Sequence, residues 1–271
     1  MAVRKSVKSK KQKSFFKSNT FYVGIFIAFV LIISYSQRNV LSYYLGFKTN
    51  KIIAETRVAS LDKVLDTHIE KSFGIDISEY QDKINWDNLK EIEGGFPIEF
   101  VFVRATVGND RRDYKFKKYW AKAKDNKLIC GAYHYYRPNE NSIEQANNFI
   151  KNVRLHKGDF PPVLDIEKLP KEQSIDRLKV GLQRWLNVVE KHYGVKPIIY
   201  SSESYYNDFL KEDFSDYPFW IANYTAFYTH IDSDWSLWQV TENAKVNGIK
   251  GCVDVNIYNG TSLDLKELLI H

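Results

Sequence analysis

The sequence contains little cysteine and lacks the short motifs that mark several common functional classes. Its two cysteines, Cys130 and Cys252, are too few for a disulfide framework. Each lies at the start of a predicted strand, where we expect a small buried side chain; a disulfide between them is the less favoured alternative. No glycine-rich phosphate loop is present, and no spacing of cysteine and histidine suits a zinc site. The sequence therefore predicts neither a bound cofactor nor a resident metal.

Acidic residues are missing from the first 18 positions, and this absence accounts for the net charge of +6. Seven basic side chains lie there, which leaves 32 of the 39 basic side chains against 33 acidic ones in the rest of the chain. The rest of the chain is thus almost neutral. The positive net charge does not argue for nucleic-acid binding, and we predict none.

Charged residues are also absent from residues 18–37, whose centre is strongly apolar. A helix of these 20 residues would span about 30 Å, the thickness of the hydrocarbon core of a bilayer. A cleaved signal peptide is the alternative, but no small-residue cleavage site follows the apolar run. Because positive charge stays on the cytoplasmic side, we predict a basic cytoplasmic tail (1–17), a transmembrane helix (18–37) and a stem (38–71), with the rest of the chain periplasmic or extracellular. Four apolar stem residues have helical spacing, which leaves open a short helix or a loose tether: Leu61, Val64, Leu65 and Ile69.

From residue 72 onward, short apolar runs alternate with segments of helical periodicity. Eight strands are predicted: Phe73–Ser78, Phe100–Thr106, Gly131–Tyr136, Pro162–Glu167, Pro197–Ser202, Phe219–Tyr224, Leu237–Thr241 and Val253–Ile257. Helices are predicted near 86–93, 114–126, 142–154, 174–193 and 203–210. Eight strands in about 200 residues favour an α/β fold, a modified TIM-type barrel over 72–271 with five β/α units followed by three strands. An open doubly wound sheet is the alternative, although no glycine fingerprint follows the first strand.

Acidic and aromatic side chains gather at the predicted carboxyl ends of the strands, where α/β barrels carry their functional residues. Asp165 and Glu167 share one face of a strand because side chains alternate along it. Further candidates at this rim are Asp76, Arg104, Tyr133, Trp220, Tyr224, Trp238, Asp254 and Asn256. His134 lies between two tyrosines that take the other face, so we expect it to point outward into the helix layer.

Two chemistries use clustered carboxylates. One is the binding of a divalent metal ion. The other is glycoside hydrolysis, in which one carboxyl group protonates the leaving oxygen and a second acts as base, nucleophile or stabilising charge. The aromatic content of 15%, with 18 Tyr and 6 Trp, favours a sugar substrate, because ring faces pack against sugar rings. The remaining alternative is that Asp165 and Glu167 have a purely structural role, in which one of them caps a helix or pairs with a lysine.

Eight segments, taken together and in order, carry a family resemblance: Phe73–Gln81, Ile84–Trp86, Phe102–Thr106, Gly131–Tyr136, Leu164–Glu167, Trp220–Tyr224, Leu237–Gln239 and Val253–Gly260. They resemble the motifs of the family 25 glycoside hydrolases, lysozymes of the N-acetylmuramidase kind. Leu164–Glu167 matches the D-x-E motif of that family. Arg104 departs from the pattern, since that position usually holds lysine.

The resemblance implies a peptidoglycan hydrolase that cleaves the β-1,4 bond between N-acetylmuramic acid and N-acetylglucosamine without a cofactor. It gives Glu167 the role of general acid and makes Asp76, Asp165 and Asp254 the other catalytic carboxylates. Asp165 would orient the 2-acetamido group if the substrate assists its own cleavage. Substrate contacts are expected from Tyr133, Trp220, Tyr224, Trp238, Asn256 and Arg104. The expected partners are glycan strands and, through residues 18–37, the membrane; the alternatives are an inactive peptidoglycan-binding module or a metal-dependent hydrolase.

Overall fold

The structure is a computed structural model that describes Tyr22, residues 61–224 and residues 229–271. All of these except Tyr22 lie within one compact unit, Gly46–His271. The predicted basic tail, the transmembrane helix (apart from Tyr22) and the stem up to residue 60 lie outside the described residues. In the part of the chain that is described, no helix combines the length and the apolar character needed to cross a membrane.

Eight strands close into a barrel. The strands of the described chain are β1 (Ser72–Ile77), β2 (Glu91–Ile92), β3 (Phe96–Pro97), β4 (Phe100–Val107), β5 (Arg111–Arg112), β6 (Ile129–Tyr135), β7 (Val163–Asp165), β8 (Ile198–Ser202), β9 (Phe219–Ala222), β10 (Leu237–Ala244) and β11 (Val253–Tyr258). The barrel runs β1–β4–β6–β7–β8–β9–β10–β11 and closes where β11 pairs with β1. All neighbours are parallel except β11, which is antiparallel to both β10 and β1. The eight predicted strands and the modified barrel are confirmed.

The helices lie between the strands largely as predicted. They are α1 (Leu61–Thr67), α2 (Phe116–Asp125), α3 (Ser142–Asn152), α4 (Ile175–Tyr193), α5 (Glu203–Tyr205, which continues as a π-helical turn over Tyr206–Leu210) and α6 (Leu265–Leu268). The predicted helix near 86–93 is wrong. A 3-10 turn over Trp86–Asn88 is followed there by a hairpin of β2 and β3. Gly94 and Gly95 adopt positive φ angles of 95° and 88°, which turn the chain back so that Ile92 pairs with Phe96.

The end of the predicted stem is part of the domain. Of the two alternatives for this segment, the short helix is confirmed: α1 buries Val64 and Leu65. His68 follows the helix, and its ring centroid lies 5.7 Å from that of Trp238 on β10. The His68 Nε2 atom is 2.6 Å from the carbonyl oxygen of Thr229. Residues 61–71 therefore pack against the barrel.

The cysteines are both free. Cys130 is buried within β6 as predicted, and burial raises the pKa of its thiol to about 12. Cys252 is exposed, which contradicts the prediction of a small buried side chain. It precedes β11 at the surface, where its Sγ lies 3.4 Å from the Lys245 ammonium.

Aromatic rings fill the lower half of the barrel, opposite the rim at which the parallel strands end (the upper rim). The Phe102 ring centroid lies 4.6 Å from that of Phe160 and 4.5 Å from that of Trp220. Leu265 of α6 is fully buried in the same cluster and helps to close it from below. Because the lower interior is filled with side chains, polar groups inside the barrel are confined to the upper rim.

Glycine at position 131 makes room for this ring packing. A Cβ atom on Gly131 would lie 2.2 Å from the Phe102 ring, far inside van der Waals contact. We expect Gly131→Ala to lower the free energy of unfolding by about 2 kcal/mol, because overpacking a filled core forces side chains off their rotamers. Urea denaturation measures this, and Phe102→Leu in the same protein should restore part of the loss. A loss below about 0.5 kcal/mol for Gly131→Ala alone would contradict the described packing.

Candidate active site

The upper rim of the barrel holds a cleft of about 300 Å³. The four predicted carboxylates all line it, and so do four of the six predicted substrate-binding residues: Asp76, Asp165, Glu167 and Asp254, with Arg104, Tyr133, Trp220 and Tyr224. Residues that are up to 178 positions apart in sequence thus meet in one place. The cleft is the candidate active site.

Asp254 reaches the upper rim by a different route from the one expected. The sequence predicts all four acids at the carboxyl ends of the barrel strands, but Asp254 is the second residue of β11. Because β11 is antiparallel, its amino end lies beside the carboxyl end of β1, and Asp254 stands directly opposite Asp76. Asp254 thus lines the cleft, but it does so from the amino end of an antiparallel strand and not from the carboxyl end of a parallel one.

Asp76 is held as a hydrogen-bond acceptor. Its Oδ2 atom accepts from the amide nitrogens of Gln239, at 2.7 Å, and of Asn256, at 2.9 Å. Burial raises the pKa of Asp76, while hydrogen bonds from Asn256, Gln239 and Asp254 oppose that rise. The pKa of Asp254 is raised to about 9, first by burial and then by the charge of Asp76. Asp254 is therefore protonated at neutral pH and donates to the Asp76 carboxylate.

A second row of hydrogen bonds orients the two amides that hold Asp76. Gln239 Oε1 accepts from the hydroxyls of Tyr200, at 2.7 Å, and Tyr224, at 2.5 Å. Asn256 Oδ1 accepts from the indole nitrogen of Trp220 at 2.9 Å. With these contacts, the side-chain amides of Gln239 and Asn256 each have a single orientation in which all of these hydrogen bonds are made. The sequence predicted that Asn256 contacts the substrate. In the structure Asn256 is fully buried, and its side chain holds Asp76 in position instead.

Asp165 and Glu167 form a pair inside the cleft. The strand β7 ends at Asp165 and not at Glu167 as predicted, but Ile166 N still donates to the Tyr200 carbonyl at 3.0 Å. This bond keeps the chain extended, so that both acids line the cleft. Asp165 is only 3% exposed, and its Oδ1 atom has no hydrogen-bond partner among the described residues. An unpaired buried carboxylate oxygen is unfavourable, and a substrate donor could satisfy it.

The Asp165–Glu167 pair retains one proton at pH values above the usual pKa range of carboxyl groups. Burial raises the pKa of Asp165, and the neighbouring charge of Glu167 raises it further. Burial also raises the pKa of Glu167, while the ammonium of Lys168 opposes that rise. Since two close carboxyl groups do not readily ionise together, the pair holds one proton into the pH range where an isolated carboxyl has lost it.

Arg104 forms one wall of the cleft and is held there by two acids. Its Nε atom lies 3.2 Å from Asp113 Oδ2, and Nη2 lies 3.3 Å from Glu79 Oε1. The guanidinium carbon lies 4.7 Å from the ring centroid of Tyr80. Glu79 also pairs with Arg111. The Arg104 charge is thus compensated by protein carboxylates, and the guanidinium holds Tyr80 at the mouth of the cleft.

Two further predictions have opposite outcomes. Trp238 lies outside the cleft, because it is on the opposite face of β10 from Gln239; it packs edge-on against His68 and donates from its indole nitrogen to the Asn223 carbonyl at 2.9 Å. The structure therefore places Trp238 away from the cleft in which the sequence predicted it to contact substrate. His134 points into the helix layer as predicted, stacked on Trp185 of α4, and burial lowers its pKa to about 3.

Seven residues that line the cleft are not among the predicted site residues: Ser78, Tyr80, Gln81, Tyr135, Tyr200, Gln239 and Glu242. Four of these seven, Ser78, Tyr135, Tyr200 and Gln239, lie near the carboxyl ends of predicted strands. Glu242 lies beyond the predicted end of its strand, and no simple pattern places it in the cleft. In the described part of the chain, no group of three or more His, Cys, Asp or Glu side chains is arranged to hold a metal ion.

Comparisons with known proteins agree on one family. Residues 75–249 match the family model of the glycosyl hydrolases of family 25. An uncharacterized protein, YegX of Escherichia coli strain K12, is 38% identical over 197 residues, which cover 71% of each chain. Lysozyme M1 of Streptomyces globisporus is 30% identical over 210 residues, covering 72% of this chain and 70% of that one. The structure of a family 25 glycosyl hydrolase from Bacillus anthracis superposes with a TM-score of 0.66 at 27% identity, over 74% of this chain and 95% of that one.

Proposed function

The chain belongs to family 25 of the glycosyl hydrolases, and we propose that it cleaves the β-1,4 bond between N-acetylmuramic acid and N-acetylglucosamine in peptidoglycan. It is a glycoside hydrolase of the lysozyme kind. The observation that supports the proposal most strongly is the Asp165–Glu167 pair, which keeps a proton inside a cleft formed by buried acids and aromatic rings. Protonation of a leaving sugar oxygen needs such a carboxyl group.

In the proposed mechanism Glu167 donates its proton to the glycosidic oxygen as the bond to the anomeric carbon breaks. The carbonyl oxygen of the 2-acetamido group on the same N-acetylmuramic acid attacks that carbon and forms a cyclic oxazolinium intermediate. Asp165 Oδ1 accepts the acetamido N–H and stabilises the positive charge that develops there. Water then attacks the anomeric carbon, and the Glu167 carboxylate takes the proton that the water loses. The five-membered oxazolinium ring opens, and the acetamido group is restored.

The remaining cleft residues position the sugar in this proposal. Asp76 and Asp254 offer carboxyl oxygens that can accept hydrogen bonds from sugar hydroxyl groups at the floor of the cleft, since the proton of Asp254 is used in its bond to Asp76. Tyr80 is 74% exposed and held by Arg104 at the mouth, where its ring can lie against a sugar face. Tyr133 and Tyr224 line the same cleft.

Mass analysis of the products of peptidoglycan digestion tests the proposed bond. Purified peptidoglycan is digested, the new reducing ends are reduced with borohydride, and the terminal sugar alcohol is identified. The proposal expects muramitol ends, in similar yield with and without a chelator. Glucosaminitol ends would contradict the proposed bond, loss of activity with the chelator and recovery with Mg²⁺ or Zn²⁺ would favour a metal-dependent hydrolase, and binding without new ends would favour a binding module.

The pH dependence of activity should respond to Lys168. Raising the pKa of the general acid shifts the loss of activity at high pH to a higher value, since activity falls as the proton leaves. The Lys168 ammonium lowers the pKa of Glu167, so Lys168→Gln should move the alkaline limb of the kcat/KM profile upward by a few tenths of a pH unit at low salt. Lys171→Gln, which removes an exposed lysine that does not line the cleft, is the matched control. A downward shift for Lys168→Gln, or the same shift in both variants, would contradict the assignment.

We further propose that residues 18–37 anchor the enzyme in the cytoplasmic membrane with residues 38–271 on the outer side. The uncharged apolar run and the seven basic residues before it support this orientation. The protein expressed with its native N-terminus should sediment with membranes, keep residues 1–37 and be digested by protease added to spheroplasts. A mature chain that begins near residue 38 would instead indicate a cleaved signal peptide.

A further inference from the structure

An irregularity in β10 turns Glu242 into the cleft. Gln239 pairs with Asn256, Thr241 with Val255 and Ala244 with Val253, and the register shifts at both steps. In a regular strand Glu242 would take the opposite face from Gln239. The extra residue before Thr241 reverses the alternation, and Glu242 with Asn243 then stands opposite the single residue Asp254. Bulges of this kind re-aim side chains next to functional sites, and Glu242 accordingly lines the cleft.

Glu242 differs from the other four acids of the cleft in its surroundings. Asp76 and Asp165 are buried, and Glu167 and Asp254 are partly buried, whereas Glu242 is exposed. Within the described residues, the side chain of Glu242 makes no hydrogen bond and no ion pair. Its charge is one of the causes that raise the pKa of both Glu167 and Asp254, which agrees with its position facing them. Glu242 therefore adds a solvated negative charge to the mouth of the cleft.

Among the residues that the structure describes, no cation of the cleft is available to neutralise this charge. Arg104 is the one arginine that lines the cleft in the described chain, and it is already paired with Glu79 and Asp113. Lys168 follows the acid pair, but its ammonium lies over the Tyr135 ring at 5.5 Å. The side of the cleft formed by β10 and β11 thus presents Glu242 beside Asp254 and Tyr224, with no basic side chain among its lining residues.

We propose that Glu242 is a specificity residue that binds an ammonium group on the peptidoglycan next to the bond that is cleaved. This inference rests on the proposed function and deepens it. An exposed carboxylate without a protein partner gains most from a substrate cation, particularly when the bound glycan excludes water from the contact. N-acetylated glycan without free amino groups offers Glu242 no cation and only hydrogen-bond donors.

The ammonium group has two possible sources on this substrate. One is a glucosamine residue whose N-acetyl group has been removed, and the other is the free amino group of a stem peptide. The N-acetylmuramic acid at the cleaved bond is excluded as a source, because the proposed mechanism needs its acetamido group intact. The chemistry at Glu242 is the same in both cases, and the substrates used in the test distinguish them.

Paired substrates test the inference. The first pair is peptide-free glycan, either fully N-acetylated or with its glucosamine residues partly N-deacetylated. The second pair is peptide-bearing glycan, with its amino groups free or blocked by acetylation. The ratio of kcat/KM for the amine-bearing to the amine-free member is measured for the wild type, for Glu242→Gln and for Glu212→Gln. Glu212 is exposed and does not line the cleft, so it serves as the matched control.

We expect Glu242→Gln to lower this ratio about two- to fivefold on at least one pair, which is the range for an exposed ion pair. That pair identifies the source of the amine. Glu212→Gln should keep the wild-type ratio, and added salt should bring the wild-type ratio toward that of Glu242→Gln. Equal ratios for the wild type and Glu242→Gln on both pairs would overturn the inference while leaving the proposed function intact. A wild type that cleaves none of the four substrates would contradict the proposed function itself.

Discussion

Glu167→Gln is expected to lower kcat/KM for peptidoglycan by about 10³-fold. The amide has nearly the same shape as the carboxyl group but cannot release a proton to the glycosidic oxygen. Glu167 lies in the cleft and burial raises its pKa; in the proposed mechanism the proton that the Asp165–Glu167 pair retains is on Glu167 when the glycosidic oxygen is protonated. Measurement of new reducing ends from purified peptidoglycan, with the wild type alongside, gives the ratio directly.

The same substitution should not unfold the protein. A carboxyl group whose pKa is raised by folding favours the native state when it is protonated, and this contribution is lost as the pH rises through the folded-state pKa. Removing the charge therefore leaves the melting temperature at neutral pH unchanged or higher. Glu172→Gln, which changes an exposed glutamate outside the cleft, is the matched control and should keep both activity and melting temperature. Near-normal activity of Glu167→Gln would contradict its role as proton donor.

Asp165→Asn is expected to lower kcat by about 10²-fold with little change in KM. Asparagine can still accept a hydrogen bond from the acetamido group, but it carries no negative charge to stabilise the oxazolinium. Asp165 Oδ1 is buried and has no hydrogen-bond partner in the described structure, which makes it available to the substrate. Initial rates on a soluble glycan over a range of concentrations separate kcat from KM.

A fluorinated substrate separates this role from that of a protein nucleophile. A trifluoroacetamido group on the cleaved sugar weakens its carbonyl oxygen as a nucleophile. The wild type should then be slowed strongly, and the further loss caused by Asp165→Asn should shrink, because the acetamido group no longer drives the reaction. If the wild type cleaves both substrates equally well and Asp165→Asn loses the same factor on each, Asp165 attacks the sugar itself.

The sequence predicted the barrel well because its signals are local. Each strand is a short apolar run, and the helices between them have clear caps: Asn141 Oδ1 accepts the backbone amides of Ile143 and Glu144 at the start of α3. The helix predicted near 86–93 failed because two glycines with positive φ favour a hairpin there. The antiparallel direction of β11 was missed as well, since period-2 alternation is the same in both directions.

The individual acids of the site could be predicted from sequence, but their relationships could not. The pair Asp165–Glu167 is separated by one residue, and that spacing alone places both side chains in the cleft. The proton shared by Asp76 and Asp254 depends on the register between β1 and β11, which only the closed barrel sets. Trp238 and Glu242 both lie on β10 but failed for different reasons. Trp238 alternates with Gln239 and so takes the outer face, whereas Glu242 reaches the cleft only through the bulge after Gln239.

The leaving-group dependence of Glu167→Gln tests the central assignment most directly. An aryl β-glycoside with a nitrophenolate leaving group needs little or no protonation, whereas the sugar oxygen in peptidoglycan does. Both substrates are given to the wild type and to Glu167→Gln, and kcat/KM is compared for each. We predict a loss of about 10³-fold on the glycan and less than about 10-fold on the aryl glycoside. A similar large loss on both substrates would contradict the assignment of Glu167 as the general acid.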